Sequence, residues 1–456
     1  MKKLLIPLLL FAILNPLCAV TVGELESAML QASPDILKAR QEVSKALLDV
    51  KDAKAGFTPT IDLTITGSYI ANPIDPIRIN LGDYIDTTAY GVRNDYITLY
   101  SGQESMYYQF SLSLTQPVFT WGKLTNAVKL YQQIYEARIL QLQDASEKAA
   151  TEIRTRAAAV HYLLGIRDVL EKQVSTVSRL VELADDAQKN GMMLETQALS
   201  VKVQARQLDV AVAQVERQIA LMMTEIRNLT GLKDLQAQDI EFDEADLEKL
   251  VEELGSTAYE VLSAKILSDS RTNFRLLSAL SVIAQLTNEV ARGAVNWKPD
   301  VAVVVNADYS GSRMPLLEKD WYGKDDWSAT ITIALKTTIV DGGKAMRNVT
   351  RTQGDMESAE IDIAGAKAKV GSAMDENITN IAVLGAEIDY QKALAAQLEA
   401  QSNVNRNLLD TGYGSESDFL QGQLELNNCS IEILRKKIEL AAAAFTLMYL
   451  QGEAGI

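Results

Sequence analysis

The stretch Val118-Phe119-Thr120-Trp121-Gly122-Lys123 returns in altered form as Ile339-Val340-Asp341-Gly342-Gly343-Lys344 in the second half of the chain. Both stretches place an apolar pair before a glycine turn and a lysine. Lys123 lies 68 positions before Gly191, and Lys344 also lies 68 positions before Gly412. The equal spacing indicates an internal repeat in which the segment between lysine and glycine has a constrained length.

The repeated segment is predicted to be one long helix. Proline is absent from 118–298 and from 316–456, and proline is the residue that most strongly breaks helix interiors. Apolar or small residues recur there at steps of three and four, the spacing of a continuous helical face. They include Leu124, Val128, Tyr131, Tyr135, Ile139 and Leu142 in the first copy and Met356, Ala359, Ile363, Ala366, Val370 and Met374 in the second. Faces of this length, on helices of roughly 100 Å, indicate coiled-coil partners.

Four short segments ahead of the long helices alternate with period two. We predict strands at about 60–70, 106–117, 300–311 and 327–338. In the first of them, for example, Ile61, Leu63 and Ile65 alternate with threonine and aspartate. About ten residues of this pattern are typical of a transmembrane β-strand. The alternative is a soluble sheet of four half-buried strands.

Every tryptophan lies at a strand end. Trp121 and Trp297 lie at the helix-side ends of the second and third strands, and Trp321 and Trp327 lie in or beside the turn between the last two. Aromatic girdles mark the two interfaces of outer-membrane barrels. These four residues are therefore predicted to lie at a membrane interface. The segments 70–105 and 311–326 are predicted to be external loops.

The chain contains two copies of the repeat, and each copy is predicted to contain a helix, two strands, a long helix and a returning helix. The first repeat is predicted over 20–230, with its long helix at about 124–190 and a tip near 191. The second is predicted over 256–456, with its long helix at about 345–411 and a tip near 412. The acidic segment 231–255 between them is expected to be a solvated linker at mid-height. Helices at about 21–56 and 256–296 are expected to precede the strands. The fold class is mostly α with a small transmembrane β-barrel contribution.

The N-terminus has the pattern of a secretory signal peptide over 1–19. Lys2 and Lys3 precede an apolar run, and the small residue Ala19 follows it. Cleavage after Ala19 removes Cys18. A lipidated Cys18 is the alternative, although Leu17 before it is not a small residue.

Composition excludes several classes of function. Acidic residues outnumber basic ones by 60 to 44, and the formal net charge is −16, which argues against nucleic-acid binding. One histidine, His161, and two cysteines are too few for a zinc site or a catalytic triad. His161 is expected to be an ordinary helix-surface or groove residue, and Cys429 a small buried one. We predict no enzyme activity, no metal and no cofactor.

Four strands cannot close a membrane barrel, because eight is the usual minimum. An open sheet edge in lipid would leave backbone groups unpaired at a cost of several kcal/mol each. If the strands are transmembrane, several chains must close the barrel together. Three chains would supply a barrel of 12 strands continued by a hollow cylinder of helices, and that shape implies a duct.

These features resemble the TolC family of outer-membrane efflux proteins. The resemblance rests on the repeat, the strand entries Phe57-Thr58-Pro59 and Trp297-Lys298-Pro299, the turn at 340–344 and the pattern Asp418-Phe419-Leu420-Gln421. It implies a homotrimeric channel-tunnel in the outer membrane that contacts outer-membrane lipid and extends into the periplasm. It also implies the exit duct of a tripartite efflux or type I secretion system. Its partners would be a periplasmic adaptor (membrane fusion) protein and an inner-membrane transporter.

The alternative is a periplasmic coiled-coil adaptor or structural protein without a pore. An adaptor could carry a long helical hairpin, but two matched copies and a strand pair bounded by tryptophan are not expected in one. The cargo, whether a drug, a metal ion or a protein, is left open by the sequence.

The glycine turns at Gly191 and Gly412 are predicted to form the periplasmic tips, because glycine allows a tight reversal. Residues around them are predicted to contact the adaptor: Leu194, Glu195, Thr196, Ser415 and Glu416. The alternative is that they simply start and cap the returning helices.

Three carboxylates near the second tip, Asp410, Glu416 and Asp418, are predicted to ring a threefold entrance and favour cations. Ordinary solvated carboxylates are the alternative. Gly342 and Gly343 are predicted to permit the bend from strand into helix.

Overall fold

The computed structural model describes residues 19–80, 96–295, 298–312, 321–324 and 326–452. The predicted signal peptide, apart from Ala19, lies outside the described residues. So do Trp297 and the side chain of Trp321.

The described chain is mainly helical. In chain order the helices are α1 Val22–Ala32, α2 Pro34–Ala55, α3 Lys123–Lys189, α4 Glu195–Thr230, α5 Glu244–Ser256, α6 Tyr259–Ile266, α7 Thr272–Val295, α8 Lys344–Asp410 and α9 Glu416–Gln451. The strands are β1 Val20–Thr21, β2 Thr60–Tyr69, β3 Ile77–Asn80, β4 Tyr96–Tyr100, β5 Met106–Phe119, β6 Ile240–Glu241, β7 Asp300–Gly311 and β8 Asp326–Lys336. The predicted fold class of tandem helix-strand-strand-helix-helix repeats is confirmed.

The two copies of the repeat agree in element length. The long helices α3 and α8 each have 67 residues, and the returning helices α4 and α9 each have 36. Each returning helix is followed by a glycine with a positive φ, 73° at Gly231 and 83° at Gly452. Glycine adopts this left-handed conformation without the steric cost that a Cβ imposes.

The described residues form two compact units. A helical unit comprises the described residues of Met1–Lys45, Tyr135–Ser281 and Ser358–Ile456. A strand unit comprises those of Ala46–Ile134 and Val282–Glu357. The strand unit contains a sheet in the order β2-β5-β7-β8 and a separate pair of β3 with β4.

Small side chains line the core of the helical unit. Ala149, Ala150 and Ala157 of α3 are buried against α1 and α4, where Met29 and Ile226 are fully buried. A second cluster joins α3 to α5, α8 and α9 through residues such as Tyr162, Met374 and Leu447. The small side chain of alanine lets the helix backbones approach closely in both clusters.

Two of the predicted helices are interrupted. The segment 21–56 breaks at Ser33, whose φ of −60° and ψ of 124° are extended. Pro34 then starts α2, because proline disfavours the helical conformation for the residue before it but fits the first helical position. The segment 256–296 is likewise divided into α6 and α7.

The acidic segment 231–255 is folded, in contrast to the expected solvated linker. Its β6 pairs in parallel with β1, and Leu247 and Leu254 of α5 are buried. Although this segment contains many carboxylates, it includes a short amphipathic helix whose leucines pack in the helical core.

Within the predicted loop 70–105, β3 and β4 form an antiparallel pair with Ile79 opposite Ile97.

Candidate functional sites: a two-faced sheet and two helix tips

The sheet β2-β5-β7-β8 is antiparallel throughout and separates apolar from polar side chains by face. Its register places apolar residues side by side across all four strands. The rows on this apolar face are Ile61-Leu114-Val305-Ile331, Leu63-Leu112-Ala307-Ala329 and Ile65-Phe110-Tyr309-Trp327.

The apolar face is widely exposed. Leu63 is 62% exposed and Ile331 is 79% exposed. Soluble monomers rarely expose a contiguous apolar patch of this extent. The face is therefore suited to a lipid environment.

The opposite face is polar and internally bonded. The Ser111 hydroxyl donates to Asp308 Oδ1 at 2.6 Å, and the Ser113 hydroxyl donates to Asn306 Oδ1 at 2.7 Å. Gln109 Nε2 donates to the Ser111 hydroxyl at 3.0 Å. A sheet with lipid-type residues outside and polar residues inside has the pattern of a membrane channel wall.

Strands β2 and β8 are the edges of this sheet, since each pairs with one neighbouring strand of it. An edge strand presents a row of backbone N–H and C=O groups. In a bilayer these groups need partners from another strand.

The predicted interface residue Trp121 closes the helix-side end of the sheet. Its Nε1–H donates to the carbonyl oxygen of Pro299 at 2.9 Å, and its φ is 54°. Beside it, Lys123 Nζ lies 2.9 Å from the Asp300 carboxylate. Trp327, at the other end of the sheet, is exposed at the start of β8.

The corresponding turn of the second copy uses a carboxylate cap. Asp341 accepts hydrogen bonds from the N–H groups of Gly343 at 2.8 Å and Ala345 at 2.7 Å. These backbone bonds hold the pKa of Asp341 below its usual range. Gly342 and Gly343 have φ values of 66° and 79°, so the bend requires the conformational freedom that the sequence predicts for them.

Both predicted tips are tight glycine turns. Gly191 and Gly412 have φ values of 73° and 79°. Each turn closes on the preceding long helix, because Met192 N–H bonds Ala187 O and Tyr413 N–H bonds Leu408 O. At the first tip, the Gln197 side chain accepts from Leu194 N–H at 3.2 Å.

The residues predicted to contact an adaptor are mostly exposed. Leu194, Glu195, Thr196 and Ser415 lie on the surface, and Glu416 is half-buried. Sequence reasoning missed the residue after each tip glycine. Met192 and Tyr413 are both strongly exposed, Tyr413 at 88%. Their equivalent positions after the two glycines could have identified them.

The predicted acidic entrance contains one carboxylate that is already paired. Glu416 accepts from Arg179 Nε at 2.8 Å and from Arg179 Nη2 at 3.2 Å. These hydrogen bonds lower the pKa of Glu416. Asp410 and Asp418 are exposed at the end of α8 and the start of α9.

His161 lies in a polar contact in the helical unit. Its Nε2 is 2.9 Å from Glu244 Oε1, and Lys437 Nζ is 2.8 Å from Glu244 Oε2. Although burial of Glu244 favours its neutral form, hydrogen bonds from Lys437 and His161 lower its pKa. Cys429 is buried, with its Sγ 3.0 Å from Gln391 Oε1, and burial raises its pKa.

Within the described ranges, no group of three or more histidine, cysteine, aspartate or glutamate side chains is arranged to hold a metal ion. Among the helices described, none combines the length and the apolar character that a membrane span requires.

Solved outer-membrane channels share this fold. CmeC of Campylobacter jejuni matches with a TM-score of 0.70 and 12% identity, over 95% of this chain and 86% of that one. VceC of Vibrio cholerae matches with a TM-score of 0.68 and 16% identity, over 94% and 96%. MtrE of Neisseria gonorrhoeae, solved in an open state, matches with a TM-score of 0.63 and 12% identity, over 94% and 88%. The chain thus has the fold of these outer-membrane channels.

Comparison of the sequence with protein families adds a second finding. Residues 25–232 match the profile of the outer membrane efflux protein family, whereas no curated protein sequence matches the chain significantly. The match runs from within α1 to just past the end of α4, which is the first copy of the repeat. The predicted resemblance and the outer-membrane location are confirmed.

Proposed function

We propose that three copies of this outer-membrane efflux channel close one barrel and form the exit duct of a tripartite efflux or type I secretion system. The duct passes cargo outward without chemical change. The observation that carries the proposal is the exposed apolar face of the sheet β2-β5-β7-β8. An exposed apolar face of this extent marks a surface that a membrane or a partner covers, and alternation over about ten residues per strand is typical of strands that face lipid.

The open edges of the sheet support a trimer. One chain contributes four strands, and a membrane barrel usually needs at least eight. Three chains pair β2 of each copy with β8 of the next and give twelve strands, so every edge is satisfied. The polar face carrying Ser111, Asn306 and Asp308 then lines a water-filled pore.

The tips at Gly191 and Gly412 supply the contact with a periplasmic adaptor protein, which in turn contacts an inner-membrane transporter. Exposed apolar side chains support this role, since Met192, Leu194 and Tyr413 lie at the two turns. Large exposed apolar and aromatic side chains are typical anchors of protein interfaces.

The carboxylates Asp410, Glu416 and Asp418 bias the entrance toward cations. Repeated in three chains, the exposed Asp410 and Asp418 create a negative field at the axis. Glu416 contributes less to this field at neutral pH because Arg179 balances its charge.

Single-channel conductance in planar bilayers tests the proposal, with protein purified from outer membranes. We expect discrete channels from a species that migrates as a trimer without heating and as a monomer after heating. Neutralising Asp410 and Asp418 together should reduce the cation preference. A soluble periplasmic monomer that forms no channels would instead favour the adaptor or structural alternative.

A further inference from the structure

The apolar face of the sheet extends past its last strand residue onto Trp121. A register shift between Pro117 and Phe119 pairs Phe119 with Val301. Val301 in turn pairs with Leu335, so Phe119 joins the apolar rows. The Phe119 and Trp121 rings then meet edge to face, with centroids 4.6 Å apart.

A lysine ends this apolar row. Lys298 Nζ lies 4.8 Å from the centroid of the Trp121 ring, and the side chain is exposed. It forms no ion pair with another residue of the described ranges. Because an aromatic face attracts the cation without accepting a conventional hydrogen bond, the three N–H donors of the ammonium group stay available.

The surrounding junctions between strands and helices are basic, although the whole chain is acidic. They carry Lys54, Lys123, Lys298, Lys336, Lys344 and Arg347 against Asp52, Asp300 and Asp341. Lys123 neutralises Asp300, and Asp341 is bonded to its own backbone turn. Ile339 and Val340 lie between Lys336 and Lys344 in the sequence and are 85% and 84% exposed.

Exposed apolar and cationic side chains occur together at the interface between acyl chains and anionic headgroups. Trp121 follows β5 and Lys298 precedes β7, and these are the two inner strands of the sheet. Both strand neighbours at this point therefore belong to the same chain, so the exposed surface faces lipid rather than a second copy. This step rests on the proposed membrane role of the sheet.

We propose that Trp121 and Lys298 form a binding site for the phosphate headgroup of an anionic phospholipid. The Lys298 ammonium donates hydrogen bonds to the phosphate oxygens. The acyl chains lie along Phe119, Val301 and Leu335. The bond from Trp121 to Pro299 holds the ring that orients the lysine.

Native mass spectrometry of delipidated trimers tests the site by titration with phosphatidylglycerol. Phosphatidylcholine and inorganic phosphate are the comparison ligands. The wild-type protein is compared with Lys298→Gln, which removes the cation, and Lys298→Arg, which keeps it. Lys249→Gln on α5 is the matched control, because Lys249 is an exposed lysine of the helical unit.

We expect Lys298→Gln to weaken phosphatidylglycerol binding about fivefold, the effect of one lysine at a lipid surface. Lys298→Arg and Lys249→Gln should bind like the wild type. Phosphatidylcholine should bind all variants more weakly and equally. Inorganic phosphate, which lacks acyl chains, should not compete.

Equal phosphatidylglycerol binding by the wild type and Lys298→Gln would overturn the site, as would equal loss in Lys249→Gln. Effective competition by inorganic phosphate would also overturn it, because a bare anion site would then suffice. Conductance of the same preparations separates the two proposals. Intact channels with no lipid preference overturn the lipid site alone, whereas wild-type protein without channels overturns the proposed function and the site with it.

Discussion

Arg179 joins the two repeats at the level of single side chains. It bonds Glu416 across α3 and α9 and also bonds Glu182 at 2.9 Å within its own helix. Because the pKa of Glu416 is lowered in the folded protein, the pair stabilises the fold at pH values above the pKa that Glu416 has in the unfolded chain. That contribution is lost as the pH falls through the lower folded-state pKa.

Replacing Arg179 with methionine should increase cation selectivity. The change frees the Glu416 carboxylate, which then adds to the predicted negative entrance. The cation-to-anion permeability ratio in planar bilayers measures this, and we expect an increase that is clear at low salt and small at high salt.

Arg206→Met is the matched control, since Arg206 pairs with Asp209 on α4 and not with a predicted entrance residue. If both variants raise the ratio equally, the effect is general charge removal and the role of Glu416 is contradicted.

Sequence reasoning identified Glu416 but not Arg179. The two residues are 237 positions apart, and α3 carries many other charged residues on its surface. The pairing depends on how α3 and α9 pack around Val177, Leu180 and Leu420. No local pattern in the sequence contains that information.

At the level of elements, the two faces of the sheet lead us to expect opposite outcomes for lysine substitutions at neighbouring residues of β8. Ile331→Lys places a charge on the apolar face, where lysine near a bilayer midplane costs about 2–4 kcal/mol. Thr330→Lys places the same charge on the polar face, beside Asn306 in the register. We expect Ile331→Lys to reduce the heat-modifiable trimer in outer membranes strongly and Thr330→Lys to leave it near the wild-type amount.

Equal trimer yields from the two lysine variants would contradict the lipid-facing assignment. The expression level of each variant in whole cells is the control, because it separates failed assembly from failed synthesis.

The helical core predicts a graded response at Ile226 of α4, which is fully buried. Ile226→Val should lower the free energy of unfolding by about 1 kcal/mol, and Ile226→Ala by about 3 kcal/mol, because the cavity grows with each methyl group removed. Guanidinium unfolding of detergent-solubilised protein, followed by far-UV circular dichroism, measures both changes. No difference between the two variants would show that this contact is not part of a tightly packed core.

The elements most open to prediction were those with a long, regular pattern. Alternation from Ile61 onward located β2, and the steps of three and four located α3 and α8. The pairing of β1 with β6 could not be predicted, because two-residue strands have no periodicity and their partners lie 220 positions apart. The bulge between Pro117 and Phe119 could not be predicted from the sequence either, although it pairs Phe119 with Val301.

For the whole molecule, the proposed trimer predicts that disulfides can form between β2 of one chain and β8 of another. Thr64→Cys combined with Ser328→Cys, Thr330→Cys or Thr332→Cys, in a Cys429→Ser background, should yield a covalent trimer on oxidation. Within one chain, β2 and β8 are separated by β5 and β7. Three strand spacings of about 4.8 Å exceed the reach of a disulfide.

Non-reducing gels measure this cross-linking, and each single-cysteine variant is a control. Only monomers from every double variant would contradict closure of the sheet through its β2 and β8 edges.

The matched lengths of the two halves restrict how this gene can change. Because α3 and α8 have 67 residues each and α4 and α9 have 36 each, an insertion in one half would need a compensating insertion in the other. Substitutions face no such limit, as the unlike turns at Trp121 and Asp341 demonstrate. The two halves can therefore differ in sequence as long as their helix lengths stay matched.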